Sequence, residues 1–188
     1  MKEGDKYTPE ILKRQFNIHK EYVRTRKEAS LNLDGQIRLP CIPEEISENI
    51  IKFILHKVGD STVTWNCSGD LLSNIDGKLE CKCFTSDGPS SFTPSSEWNV
   101  IYFLDAQKWL DDYFVLYRVN LNKNSTEWKN VQINKKQKFE DQSSVGRRPR
   151  IAWKNLFPQI EPHCQKIFEG TFNDIFISNN SLSDQQSI

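Results

Sequence analysis

Residues 68–84 read Ser-Gly-Asp-Leu-Leu-Ser-Asn-Ile-Asp-Gly-Lys-Leu-Glu-Cys-Lys-Cys-Phe, two short runs of β-compatible residues joined through Asn74-Ile75-Asp76-Gly77-Lys78. Asn suits the opening of a type I turn, Asp its interior, and Gly a position of positive φ. The composition therefore predicts a hairpin with a three-residue loop and a G1 bulge. In that register Asn74 pairs with Lys78, Asp70 lies opposite Lys82, and Glu80 is the diagonal neighbour on the same face. A two-residue Asp-Gly turn would instead pair Ile75 with Lys78 and send Asp70 to the opposite face. The turn decides whether the three charged groups meet.

If they meet, their chemistry is that of a hydrolytic Mg²⁺ site. Asp70 and Glu80 offer hard oxygen ligands, and the Cys81 carbonyl offers a third. Such a metal activates water and neutralises charge at a phosphate, while Lys82 would orient or deprotonate that water and stabilise the developing charge. The pattern suggests a nuclease. Asp, a gap of ten and then Glu-x-Lys is a weak signal in a chain that is 27% charged. Its context strengthens it: in Leu79–Phe84 the alternate residues are apolar, so one face is core and the other carries Glu80 and Lys82 together. An ordinary surface hairpin with an i, i+2 Glu/Lys pair is the competing reading. Glu44, Glu45 and Glu48 open a helix further upstream, where acids complement the helix dipole. Glu48 is the one expected to reach the metal site.

The length of 188 residues fits one domain, placed at 1–177, with the polar stretch 178–188 expected to be a disordered tail. No apolar run is long enough to cross a membrane, and the start Met-Lys-Glu-Gly-Asp carries no apolar leader, so a cytoplasmic location is expected. The five cysteines include no C-x-x-C pair, which argues against a zinc ribbon and for reduced thiols. Cys81 and Cys83 are expected to pack against the core behind Lys82. A net charge of zero conceals a division: residues 31–112 carry 6 Lys/Arg against 13 Asp/Glu, and residues 113–154 carry 10 against 3. An acidic region that binds metal beside a basic region that grips phosphates is what a metal-dependent nuclease needs.

Thr8 and Pro9 predict the start of a helix running to about Ala29, and Glu44–His56 a second helix with Ile46, Ile50, Phe53 and Ile54 as its buried stripe. Strands are expected at Ser61–Cys67, Ser68–Asn74, Lys78–Thr85, Val100–Asp105 and Tyr113–Val119. Residues 86–96, rich in Gly, Pro and Ser, read as a loop or short helix entry. Residues 120–150 read as a polar, basic excursion. The class is α/β or α+β, a mixed sheet flanked by helices.

These residues resemble the PD-(D/E)XK nuclease superfamily, with Ser68-Gly69-Asp70 in place of Pro-Asp and Glu80-Cys81-Lys82 as (D/E)-x-K. Further runs are similar to small Type II restriction endonucleases that recognise GCNGC: Pro43–Glu48, Ser91-Phe92-Thr93-Pro94 with Trp98, Tyr102–Asp105, and Gly146-Arg147-Arg148-Pro149-Arg150. The resemblance implies Mg²⁺-dependent cleavage of double-stranded DNA by a homodimer, within a restriction–modification system that pairs it with a cognate DNA methyltransferase. A palindrome asks for a two-fold dimer, and the amphipathic first helix is a candidate interface.

The DNA-contacting region is placed at about 118–154. Arg147, Arg148 and Arg150 are the candidates for guanine contact, since arginine binds guanine O6 and N7 bidentately. Phosphate clamping is the other use of the same side chains. Lys135, Lys136 and Lys138 are expected on the DNA backbone, and Ser91 on a phosphate beside the site. Two alternatives stay open: a structure-specific junction or repair nuclease using the same Asp70/Glu80/Lys82 site, and a non-catalytic nucleic-acid-binding module.

Overall fold

The computed structural model describes residues 7–31, 38–66 and 70–177. Ser68, Gly69 and the 178–188 tail lie outside the described residues. Helix α1 (Pro9–Ser30) starts where expected: the Thr8 hydroxyl accepts the Ile11 N–H at 3.3 Å, and Pro9 occupies the first turn. Leu12, Phe16 and Val23 form its buried stripe. Helix α2 (Glu44–Lys57) buries Ile46, Ile50, Ile51, Ile54 and Leu55 against the same core, with Phe53 only partly covered.

Strands β1 (Thr64–Trp65), β2 (Leu71–Ser73) and β3 (Gly77–Phe84) are followed by the short β4 (Pro89–Ser91), β5 (Val100–Asp105) and β6 (Tyr113–Val119). The excursion after β6 folds as α3 (Thr126–Lys129), the ribbon β7 (Gln132–Asn134) with β8 (Gln137–Lys138), and α4 (Phe139–Ser143). Strand β9 (Arg150–Ala152), α5 (Trp153–Ile160) and β10 (Cys164–Thr171) follow, with a last helical turn at Asn173–Phe176. The main sheet has the order β1-β2-β3-β5-β6-β10 and is mixed: β3 runs parallel to β5, and every other pairing is antiparallel. The expected α+β class is the observed one. Its architecture is restriction-endonuclease-like.

The sheet is covered on both faces. Tyr102 and Leu104 of β5 pack with α1 and α2 in one core, while Ile101 and Phe103 pack with Phe92, Trp98, Trp128, Phe139 and Leu156 in another. Continuous apolar character in a central strand is the signature of such double cover. The second core corrects one expectation. The face of β3 that carries Glu80 and Lys82 is not turned to solvent; Phe84 on that face belongs to the second core, and Glu80 is only 5% exposed.

Three differences from the sequence reading concern the strands. The pairing of β2 with β3 sets Ser73 against Gly77, Leu72 against Lys78 and Leu71 against Leu79, a shift of two residues from the expected register. The cause is Ser73, whose hydroxyl accepts the N–H groups of Ile75 and Asp76 at 2.9 and 3.0 Å and so opens the turn in place of Asn74. A slip of two preserves faces, so Asp70 stays on the side of Glu80 and Lys82, now in line with Glu80. Gly77 has φ +73°, and a Cβ there would meet the Asn99 side chain at 2.5 Å. The first two strands are shorter than expected. Residues 89–91 form a strand rather than a loop or helix entry, because β9 pairs with them.

Candidate active site

Among the described residues, β2 pairs with β3 from Gly77 to Leu79, and beyond Leu79 β3 is paired with β5 on its other side. On the side of β3 away from β5, the Asp70 Oδ2 accepts the Cys81 N–H at 2.6 Å. The N–H and C=O of one strand residue point to the same side, so the Cys81 carbonyl faces that side too. Lys82 Nζ lies 2.6 Å from Glu80 Oε1. Glu48 arrives from α2, along with Glu44 and Ser47. All of these line one cavity of about 400 Å³, whose far wall is Pro89, Ser90 and Ser91 of β4.

The electrostatics of this cavity are unbalanced. Burial pushes the Asp70 carboxyl above its usual value, although the Cys81 N–H and Lys82 pull the other way. Burial likewise raises Glu80 against the opposing charge of Lys82. Burial and then the charge of Asp70 push Glu48 up to about 8. For Lys82, burial works against the ammonium, but Glu80 and Asp70 outweigh it and hold its pKa above the ordinary lysine value. Four carboxyl groups thus line a cavity with one ammonium. A hard divalent cation fits that donor set, because its charge would offset the burial, and the lesser repulsion between carboxylates, that raise the pKa values of Asp70, Glu80 and Glu48. Among the described residues, no group of three or more His, Cys, Asp or Glu side chains could hold a metal by itself. Two carboxylates would need the Cys81 carbonyl and water to complete a coordination shell.

The cysteines behave as expected for packing residues. Burial raises the Cys81 thiol well above its ordinary value and the Cys83 thiol to about 12. Both pack against the α1–α2 core while also touching the cavity wall.

The structure brings together Asp70, Glu80, Cys81, Lys82, Glu48 and Ser91. Glu45, by contrast, turns into a separate groove beside α1. The Arg147–Arg150 segment is adjacent to the cavity rather than in it: Arg150 pairs with Ser91 across the β4–β9 ribbon, and the Pro149 carbonyl accepts the Phe92 N–H at 3.0 Å. Arg147, Arg148 and Arg150 are exposed, and none forms an ion pair among the described residues. Lys135 and Lys136 sit exposed at the β7–β8 turn, and Lys138 Nζ donates to Asn130 Oδ1 at 2.7 Å; none of the three lines the cavity. Arg118, at the start of the expected DNA-contacting region, is paired to Asp76.

Two contributors escaped the sequence reading. Asp76, in the hairpin loop, accepts from Arg118 Nη2 at 2.7 Å, Arg118 Nε at 3.2 Å and the Tyr102 hydroxyl at 3.0 Å, so the hairpin tip is fastened across β5 to β6. Lys123 pairs with Glu97 at 3.0 Å, and its charge also favours the ionised form of Glu80. Neither stands in a recognisable motif. Asp76 read as a turn former, and Lys123 as one cation among many.

The six-stranded mixed sheet flanked by helices is a restriction-endonuclease-like fold. The chain belongs to the Bsp6I restriction endonuclease family, whose model matches residues 11–159. A stretch of 63 residues is 40% identical to the Type II restriction enzyme Bsp6I of Bacillus sp. (strain RFL6), and this match covers 34% of each chain. No solved structure matches the chain. Among the described residues, no helix is long and apolar enough to cross a membrane.

Proposed function

We propose that this protein is a Mg²⁺-dependent Type II endonuclease that cuts double-stranded DNA at a specific palindrome, with GCNGC as the expected target. The observation that carries the reading is the cluster on β3: Asp70 on the Cys81 N–H and Glu80 on Lys82 within one acidic cavity. Membership of a restriction endonuclease family supports it.

In this reading Asp70, Glu80 and the Cys81 carbonyl hold Mg²⁺, which supplies Lewis-acid stabilisation and a more acidic water. Lys82 stays protonated beside Glu80, so it donates to the attacking water or a phosphate oxygen and stabilises charge rather than acting as the base. Glu48 completes the acidic wall next to Asp70. Ser91 and Ser90 face the cavity where a phosphate would lie. Arg147, Arg148 and Arg150 read or clamp the duplex immediately alongside, with Lys135, Lys136 and Lys138 as more distant contacts to its backbone.

A palindromic target asks for two copies related by a two-fold axis. The groove of about 550 Å³ beside α1 suits that contact: Ile11, Ile18, Tyr22 and Ile46 line it, along with Arg14 and Glu45, one charge of each sign. The start of α2 is common to both surfaces, sending Glu44 and Glu48 to the cavity and Glu45 to the groove. A dimer formed there would hold both cavities near the axis. A cognate methyltransferase protecting the same sequence, and a cytoplasmic location, belong to this proposal.

The test is incubation of the purified protein with phage-length duplex DNA in Mg²⁺, with EDTA as control, followed by sequencing of the fragment ends. Discrete Mg²⁺-dependent fragments with one common end sequence support the reading. Ends outside GCNGC overturn the target alone. Cleavage confined to branched DNA would favour a structure-specific nuclease, and binding without cleavage a non-catalytic module.

A further inference from the structure

Phe92 joins the two halves of the proposed machinery. Its backbone N–H donates to the Pro149 carbonyl at 3.0 Å, between Arg148 and Arg150. Its ring, fully buried, lies 5.7 Å from Lys82 Nζ. It follows directly on Ser91, which lines the cavity and pairs with Arg150. The ring is wedged by Trp128 at 5.5 Å and Phe139 at 5.6 Å, while the backbone of the same residue is tied to the arginine segment.

Two neighbouring groups orient Lys82 Nζ. Glu80 fixes one direction, and the face of the Phe92 ring, which attracts a cation, fixes another. We propose that Phe92 is a positioning residue that makes cleavage depend on correct seating of the Arg147–Arg150 segment. When that segment binds its own bases, the ribbon holds the ring in register and Lys82 points at the reacting phosphate. On a wrong sequence the segment sits displaced, and the ring with it. A misplacement of about 1 Å at a reacting group costs on the order of 10²-fold in rate, so discrimination in cleavage exceeds discrimination in binding. This inference rests on the reading of the arginines as DNA contacts.

The experiment measures binding and single-turnover cleavage on the sequence the protein cuts and on copies with one base pair changed. It compares wild type, Phe92→Leu, Arg150→Ala and the double variant. Phe92→Leu keeps an apolar side chain of somewhat smaller volume and removes the ring face. It is expected to bind the uncut site as wild type does, to cleave it about 10-fold more slowly, and to lose most of the excess of cleavage discrimination over binding discrimination. The double variant is expected to fall short of the product of the two single effects.

Equal slowing at every sequence, or single effects that multiply, overturns the proposal. Should Phe92→Leu fail to fold, Pro149→Gly loosens the arginine segment while leaving the ring in place, and is expected to lose discrimination in the same way; unchanged discrimination there overturns the proposal. Failure of the underlying reading looks different: wild type leaves DNA intact, or Arg150→Ala cleaves as wild type does.

Discussion

Asp70 binds the backbone of the strand that carries Glu80 and Lys82: its Oδ2 accepts the Cys81 N–H at 2.6 Å, just past Leu79, which pairs with Leu71 of β2. One carboxylate thus satisfies that N–H and contributes charge to the cavity. Asp70→Asn keeps an oxygen acceptor for that N–H while removing the charge. The expected outcome is a folded protein whose melting temperature stays within about 4 °C of wild type, with cleavage reduced by on the order of 10³-fold, measured by calorimetry and a single-turnover assay. Loss of folding would give Asp70 a structural role first.

Glu48 makes the cavity sensitive to pH. A carboxyl whose folded pKa is raised from its ordinary value to about 8 binds more protons in the native than in the unfolded state between those two values. Stability from this group is therefore fully present below the unfolded pKa and falls as pH rises toward 8. Glu48→Gln is expected to raise the melting temperature of the metal-free protein at pH 8, by about 2–4 °C for each kcal/mol relieved, and to change it little at pH 5. Mg²⁺ is expected to stabilise wild type at pH 8 by compensating the same buried carboxylate charge. Melting curves at the two pH values, with and without Mg²⁺, check both.

The hairpin tip offers a prediction on stability. Asp76→Ala leaves Arg118 and the Tyr102 hydroxyl, both in the main sheet, without their shared carboxylate. A loss of about 2–4 kcal/mol is expected from urea unfolding, because partly buried polar groups are left without partners. Cleavage should fall more than DNA binding does, since the loosened hairpin carries Asp70.

The proposed dimer surface is tested at Ile18, which is 61% exposed on α1 and lines the groove there. Ile18→Lys is expected to leave a folded monomer by sedimentation, with cutting of both strands at one site slowed and nicked intermediates accumulating. A wild-type monomer, or an Ile18→Lys dimer, moves the interface elsewhere.

Much of this arrangement was legible before any coordinates, and the reasons differ by element. Thr8-Pro9 marks the start of α1 by capping chemistry, and the unbroken apolar run Val100–Leu104 marks a central strand. The shared face of Asp70, Glu80 and Lys82 needed only the parity of the turn, which survives the two-residue slip caused by Ser73. The exact register was not legible, because Ser73 and Asn74 are both competent turn openers and only the backbone geometry chooses. Strand β10 and the β4–β9 ribbon were hidden for another reason: their partners lie far away in sequence, so neither Cys164–Thr171 nor Pro89–Ser91 shows a local strand pattern. The second core was hidden because its tryptophans and phenylalanines are scattered through a polar stretch.

The most direct measurement is single-turnover cleavage of the target by Lys82→Ala, beside its affinity for the same DNA in Ca²⁺. The account predicts a rate lower by at least about 10²-fold with affinity within a few-fold of wild type, since the ammonium acts on the reacting phosphate and not on the rest of the duplex. Cleavage by Lys82→Ala at the wild-type rate would contradict it and move the active site away from β3.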